Sequence, residues 1–324
     1  MATIRIFSRL LVAAAASFVF SASPFGAHAE RFTDWSDPVS LGPGPNSVHD
    51  EFGATVSRDG LSLYFRSARP GGFGSTDIWV SRRANPDDPW GPAENLGPSI
   101  NTEFGENTPK LSLDGHSLYF VSDRPGGFGG SDVYVARRRT TRDDFSWRPP
   151  QNLGGGVNSP SNEGGPVPFE DDATGTMTLY FFSPRPGGLG GADIYASTRL
   201  PDDTFGPAAL VTELSSSSAD IAPAIRRDGL EIFITSSRSG SMPFPAPLVG
   251  NSFDLWVSTR ASTDRPWSLP VNLGSVVNTN FNDGWPALSF DGTALFFGTR
   301  RPGTFGEATL DIYVSTRSRV TGHF

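Results

Sequence analysis

The sequence predicts an all-β protein, a five-bladed β-propeller of four-stranded antiparallel blades that is closed by its N-terminal strand. Three observations lead to this fold. The chain of 324 residues holds 37 Gly, 28 Pro and 12% aromatic residues, which disfavours long helices and favours strands and turns. A pattern of strands recurs five times, at intervals of roughly 60 residues. A lone strand motif near the N-terminus supplies what the fifth copy lacks.

Each copy begins with two strands, A and B, joined by a tight turn. Strand B is an alternating run in every copy: LSLYFRS, HSLYFVS, MTLYFFS, LEIFITS and TALFFGT. In four copies an Asp-Gly pair precedes it, and Asp-Gly beside alternating residues predicts an antiparallel hairpin. These pairs are Asp59-Gly60, Asp114-Gly115, Asp228-Gly229 and Asp291-Gly292.

A glycine-rich loop then joins strand B to strand C, as in DRPGGFGGSDVYVARR (123–138). It does not match a dinucleotide-binding fingerprint, because Asp132 stands where the last glycine is required. A P-loop is excluded too, since its lysine must reach the phosphates and the only lysine, Lys110, lies elsewhere. The glycines and proline are therefore interpreted as the residues of a sharp turn.

Strand D carries the pattern W-x5-L-G in three copies, Trp90–Leu96, Trp147–Leu153 and Trp267–Leu273, with Phe205–Val211 as a weaker match. The fifth copy has none, whereas Trp35–Leu41 stands alone near the N-terminus. We therefore expect the N-terminal segment to supply the last outer strand and remove an open sheet edge. The predicted blades are about 50–103, 104–160, 161–217, 218–280 and 281–317 plus 31–46.

Residues 1–29 have the layout of a secretory signal peptide: Arg5 and Arg9, an apolar core, and a small-residue ending at Ala29. Cleavage would leave one domain, 30–324, that is periplasmic or secreted, with no transmembrane segment. It would also take the net charge from −8 to −10, which opposes nucleic-acid binding. The chain has no cysteine and therefore no disulfide.

Up-and-down strand order places the glycine loops and the D-to-A links on one face, the upper face. An acid opens every strand A there, an arginine ends every strand B and an aspartate begins every strand C. We expect each arginine to lie between the two acids of its own blade. Either the inner acids only hold the blade together, or they form a ring at the channel mouth that binds a ligand. These candidate binding residues are Glu51, Glu106, Glu163, Asp220 and Asp283.

Blade four has a longer glycine loop, 239–253, in which Met242 and Phe244 are candidate contact residues. They either fold back over the blade or form an apolar lip for a partner. His49 is the one histidine near the acids, while His116 and His323 are expected to be surface groups. No metal or other cofactor is predicted; a Ca²⁺ ion at the acids is a possibility without support in the sequence. The sequence contains no catalytic motif of the types G-x-S-x-G or H-E-x-x-H.

The pattern from Pro109 to Gly127, P-x-L-S-x-D-G-x-x-L-Y-F-x-S-D-R-P-G-G, resembles the WD40-like repeats of TolB-type bacterial propellers. The resemblance spans roughly residues 31–317 and implies a propeller of the cell envelope. We therefore expect an exported, non-enzymatic binding or scaffold protein whose partner is an envelope protein or a glycan. The alternative is a carbohydrate-active hydrolase or lyase that uses the channel-mouth carboxylates.

Overall fold

The computed structural model describes residues 32–306 and 309–320, so the predicted signal peptide lies outside the described residues. The described chain forms twenty β-strands in five four-stranded sheets and contains no helix. The first strands of the five sheets pack side by side in a ring, which the strands Asp283–Leu288 and Glu51–Val56 complete. The predicted five-bladed propeller is confirmed. In the described part of the chain, no helix is long and apolar enough to cross a membrane.

The strands occupy the same four positions, A to D, in every blade. The A strands are β2 (Glu51–Val56), β6 (Glu106–Leu111), β10 (Gly164–Glu170), β14 (Asp220–Ile225) and β18 (Asp283–Leu288). The B strands are β3 (Ser62–Ser67), β7 (Ser117–Ser122), β11 (Met177–Ser183), β15 (Glu231–Ser236) and β19 (Ala294–Thr299). The C strands are β4 (Asp77–Arg82), β8 (Asp132–Arg137), β12 (Asp193–Thr198), β16 (Asp254–Thr259) and β20 (Asp311–Thr316). The D strands are β1 (Val39–Ser40), β5 (Glu94–Asn95), β9 (Gln151–Asn152), β13 (Ala209–Leu210) and β17 (Val271–Asn272).

The apolar core lies between the blades. Each of five clusters of buried side chains joins two neighbouring sheets. Each of the alternating B strands supplies one fully buried phenylalanine to these clusters, and burying one such ring contributes about 1.5–3 kcal/mol. These are Phe65, Phe120, Phe181, Phe233 and Phe297.

The N-terminal segment closes the ring by pairing β1 with β20, with Val39 opposite Val314. The side chain of Asn46 then accepts a hydrogen bond from the N–H of Ile312 (2.8 Å) and donates one to its carbonyl (3.0 Å). Asn101 makes the same pair of bonds to Ile78, between blades one and two. The predicted closure is confirmed, and its contacts repeat those at an ordinary blade junction.

An arginine and a tryptophan fasten the outer edge of four blades. Arg83 follows strand C, stacks over Trp90 at 4.2 Å from the ring centroid, and donates from Nε to the carbonyl of the turn residue Gly60. In blade five Arg317 stacks over Trp35 in the same way, at 4.3 Å. The W-x5-L-G pattern therefore marks a stacking platform that the N-terminal segment reproduces. The equivalent pairs are Arg138 with Trp147 and Arg260 with Trp267.

Every A strand contains a β-bulge near its middle, where the pairing with strand B shifts by one residue. At each bulge one residue has a positive φ. It is the third residue of strand A in blades one, two, four and five, and the equivalent residue in blade three. The backbones approach closely at this level: a Cβ on Gly53 would lie 3.2 Å from the Cα of Thr108. The bulges thus form a tight ring that separates an upper channel mouth from a lower one. Their residues are Gly53, Thr108, Gly165, Ala222 and Trp285.

Candidate functional site

The acids at the upper face are buried and bonded within their own blade. The carboxylate of Glu106 accepts hydrogen bonds from the N–H and hydroxyl of Thr102 (2.8 and 2.7 Å) and from Ser122 (2.8 Å). Arg124 adds an ion pair at 3.1 Å. Burial raises the pKa of Glu106, and these bonds act in the opposite direction. The equivalent ion pairs are Arg69–Glu51, Arg185–Glu163, Arg238–Asp220 and Arg301–Asp283.

Each strand-B arginine holds the inner acid but does not reach the strand-C aspartate. Besides Glu106, Arg124 bonds the carbonyl of Ile100 in the D-to-A link (2.7 Å) and lies over the rings of Phe120 and Tyr134. The expectation that the arginine lies between two acids is therefore wrong. The aspartate is occupied by the glycine loop, since Asp132 accepts the N–H of Phe128 (2.6 Å). Sharp turning at the glycines brings that N–H to the carboxylate.

All five acids have at most 2% of their surface exposed. The structure thus gives Glu51, Glu106, Glu163, Asp220 and Asp283 an internal role, in holding strand ends A and B to the preceding link. Their role in binding a ligand stays a prediction. In the described chain no group of three or more His, Asp or Glu side chains is arranged to hold a metal ion.

The blade-four loop is anchored near the positions that the sequence singles out. Met242 donates its N–H to Asp254 (2.8 Å), as Phe128 does to Asp132 in blade two. Met242 and Phe244 are both half-buried, whereas Leu248 and Val249 are 61% and 91% exposed. The apolar tip of the loop is thus formed by later residues, and a contact role for Met242 and Phe244 stays a prediction.

The two described histidines, His49 and His116, belong to no group of side chains that could hold a metal ion. His116 is on the lower face, where its Nδ1 lies 3.0 Å from the carbonyl oxygen of Arg138. His49 lies in the first D-to-A link and is half-buried. His323 lies outside the described residues.

A pocket of about 120 Å³ opens at the lower channel mouth, beneath the bulge ring. All five blades contribute to it, through the ends of their A strands and the A–B turns that follow. Apolar and polar surface line it in similar amounts, and its charged lining residues are Arg58, Lys110, Glu170, Arg226 and Arg227. We call this the lower-mouth pocket.

Lys110, the only lysine of the chain, crosses the channel from blade two to form part of this lining. It is 7% exposed, and its Nζ donates to the carbonyls of Ala54 in blade one (2.8 Å) and Pro286 in blade five (2.9 Å). Burial lowers the pKa of Lys110 from 10.5 to about 7. The amine is thus a buried group that changes its charge near neutral pH.

Of the other charged side chains, Arg226 is buried, whereas Arg58, Arg227 and Glu170 are exposed. The guanidiniums of Arg58 and Arg227 both stack on Phe290, at 4.4 and 4.7 Å from its centroid. Arg226 is held by Asp228 and Glu231. Glu170, the one carboxylate of the lining, is exposed and makes no ion pair with a described residue.

Sequence reasoning placed its candidate site on the upper face and missed this pocket. Two signals were present. The chain's single lysine falls in strand A of blade two, and the residue before each turn aspartate differs between blades: Arg58, Leu113, Arg227 and Phe290. Both signals lie at positions that vary between blades, whereas the upper-face acids repeat in every blade.

Known structures share this fold at low sequence identity. The α-L-arabinofuranosidase of Lactobacillus brevis is 15% identical, with a TM-score of 0.57 over 83% of this chain and 91% of its own. The endo-arabinase of Bacteroides thetaiotaomicron is 16% identical, with a TM-score of 0.57 over 90% and 100%. TolB of Acinetobacter baumannii is 13% identical, with a TM-score of 0.44 over 82% and 53%. No family model and no curated protein sequence matches the chain.

These comparisons correct the expected function. The similar structures are mostly arabinofuranosidases and related glycoside hydrolases, in place of the expected WD40-type scaffold proteins. The expectation of a non-enzymatic scaffold is therefore contradicted. At these identities the likeness itself concerns the fold.

Proposed function

We propose that this protein is a carbohydrate-active enzyme, a glycoside hydrolase, that takes its saccharide into the lower-mouth pocket. The observation that carries the proposal is the convergence of all five blades on one pocket with titratable side chains in its lining. The glycosidases that share the propeller fold support the same class of substrate.

The pocket holds two titratable groups in different surroundings, as acid–base chemistry requires. Glu170 is an exposed carboxylate, whereas Lys110 is buried and its pKa is about 7. Glycoside hydrolysis needs a group that protonates the leaving oxygen and a second that activates water or attacks the sugar. Protonated Lys110 is suited to the first task, since a proton donor works best with a pKa near the working pH. Glu170 is suited to the second.

The upper-face carboxylates do not suit this chemistry. All five are buried, and each has an arginine partner in its own blade. A saccharide could reach them only by opening the blade. The reacting groups of the carbohydrate-active alternative are therefore proposed to lie at the lower mouth and not at the upper one.

A lyase is a second candidate, favoured by Lys110. As a neutral amine, this group can remove the proton next to the carboxylate of an acidic sugar, with the glycosidic oxygen as the leaving group. The product would be unsaturated and would absorb ultraviolet light, whereas hydrolysis yields saturated sugars. The two reactions are thus distinguished by one spectrum.

Two further expectations form part of the proposal. Residues 1–29 direct export, so that the enzyme meets glycans in the periplasm or outside the cell. The motif from Pro109 to Gly127 supports a TolB-type origin of the repeat without a TolB-type function.

The test is turnover by the chain from residue 30 onward on arabinan, xylan and acidic oligosaccharides, followed by new reducing ends and ultraviolet absorbance. Lys110→Met and Glu170→Gln should each lower kcat by about 10²–10⁴-fold. Glu103→Gln, an exposed upper-face carboxylate, is the control and should leave kcat unchanged. Turnover that survives both lower-mouth changes would place the reaction elsewhere, and inactivity on every glycan would overturn the proposal.

A further inference from the structure

We infer that the lower-mouth pocket recognises an anionic group, so that its saccharide is an acidic one bearing a carboxylate or a sulfate. The inference deepens the proposed function and rests on it, because the proposed function is what makes the ligand a saccharide. The anion site itself is argued from the charges of the lining alone.

The lining reverses the charge balance of the molecule. The chain has 34 acidic and 26 basic residues, a net charge of −8. Among the side chains that line the pocket, four are basic (Arg58, Lys110, Arg226 and Arg227) and Glu170 alone is acidic. Positive charge concentrated in a concave, partly apolar site attracts anions more strongly than the same charge on an open surface.

These cations are only partly neutralised within the protein. Lys110 bonds two carbonyl oxygens and no carboxylate. Arg58 makes no ion pair with a described residue, and Arg227 has one, to the exposed Asp172 at 3.3 Å. A pair this exposed contributes little. Only Arg226, with Asp228 and Glu231, has its charge fully met by carboxylates.

Phe290 gathers two of the cations at the rim. Stacking on one ring holds Arg58 and Arg227 near each other and near the opening, although like charges repel. A bound anion would remove that repulsion. The planar guanidiniums would leave their N–H groups free for the paired bonds that carboxylates and sulfates accept.

The buried amine completes the site from the inside. Lys110 has three N–H donors and uses two, on the carbonyls of Ala54 and Pro286. Because the side chain lines the pocket, the third donor is available to a ligand that reaches the floor. An anionic group would then lie between Lys110 below and the arginine pair above. Its negative charge would also favour the charged form of the amine, which burial disfavours.

The experiment measures binding by calorimetry, apart from turnover, with four probes: a uronate-containing trisaccharide, its neutral counterpart, a sulfated trisaccharide and sodium sulfate. The acidic trisaccharides should bind at least about tenfold more tightly than the neutral one. Arg58→Gln, Arg227→Gln and Lys110→Met should each remove about tenfold of that preference. Added NaCl should weaken only acidic binding. Arg142→Gln, an exposed arginine outside the pocket, is the matched control and should change nothing.

The outcomes separate the two proposals. Equal affinity for neutral and acidic trisaccharides would overturn the anion site and leave the enzyme proposal standing. Binding of sulfate alone, with no saccharide bound or cleaved, would confirm the anion site and overturn the proposed function. A preference for acidic saccharides that survives all three variants would place recognition elsewhere and overturn the inference. The uronate and sulfate arms identify which acid is recognised.

Discussion

The two mouths of the channel are built from the same five blades and differ in how much they repeat. At the upper mouth an acid, an arginine and an aspartate occur in every blade, buried and bonded to their own strands. At the lower mouth the residue before each turn aspartate changes from Arg58 to Leu113, Arg227 and Phe290. Repetition thus marks residues that hold each blade together, and variation marks the place where the ring becomes asymmetric and can bind one ligand.

The two mouths also differ in whether their charged side chains have counter-ions within the protein. Arg124 has a carboxylate, a carbonyl and two aromatic rings around it, so its charge is balanced within the protein. Lys110 has two carbonyls and no counter-ion. A charge without a counter-ion in a pocket lowers the stability of the ligand-free protein, and functional sites typically carry such a loss of stability.

The largest expected effect concerns the upper mouth. Glu106→Ala leaves the half-buried Arg124 without its carboxylate partner and should lower the free energy of unfolding by about 3–5 kcal/mol. Urea unfolding measures this, with the exposed neighbour Glu103→Ala as a control that should change stability by less than about 0.5 kcal/mol. Saccharide affinity of the folded variant should be unchanged. A stable variant that no longer binds would make the upper acids the site.

The second effect is a pH dependence that belongs to Lys110. Its pKa is about 7 in the folded protein and near 10.5 when unfolded, so unfolding takes up a proton between these values. Stability should therefore rise with pH across this window, by up to about 1.4 kcal/mol per pH unit, relative to Lys110→Met. Denaturant unfolding of both proteins at pH 7, 8 and 9 tests it. If the free energy of unfolding changed equally with pH in both proteins, the amine would not be desolvated.

The smallest effect tests the rim. Phe290→Leu removes the ring shared by two arginines and should cost about 1 kcal/mol of stability, since exposed cation–π contacts are weak. Affinity for an acidic saccharide should fall several-fold, because the arginines lose their fixed positions. Phe73→Leu, a half-exposed ring on an upper-face loop, is the control and should leave affinity unchanged. Unaltered binding in Phe290→Leu would remove the stacked pair from the site.

The fold was predictable because its four-strand pattern recurs five times in the sequence. Asp-Gly turns, alternating B strands and the lone Trp35 suffice for the blade count and the ring closure, since each rests on local backbone preference or a repeated spacing. The candidate site was not predictable in the same way. Lys110 becomes informative only when Ala54 and Pro286, far away in sequence, are seen around its amine. The arginine pair depends likewise on Phe290 from another blade.

The most direct measurement uses the fact that the chain has one lysine. Lysine labelled at Cε and Nζ gives a single side-chain NMR signal, which reports Lys110 alone. We expect a titration midpoint near pH 7 and a saturable shift of this signal when a saccharide substrate is added. A substrate that is bound or cleaved while the signal stays unchanged would contradict the claim that the lower mouth is the functional end of the propeller.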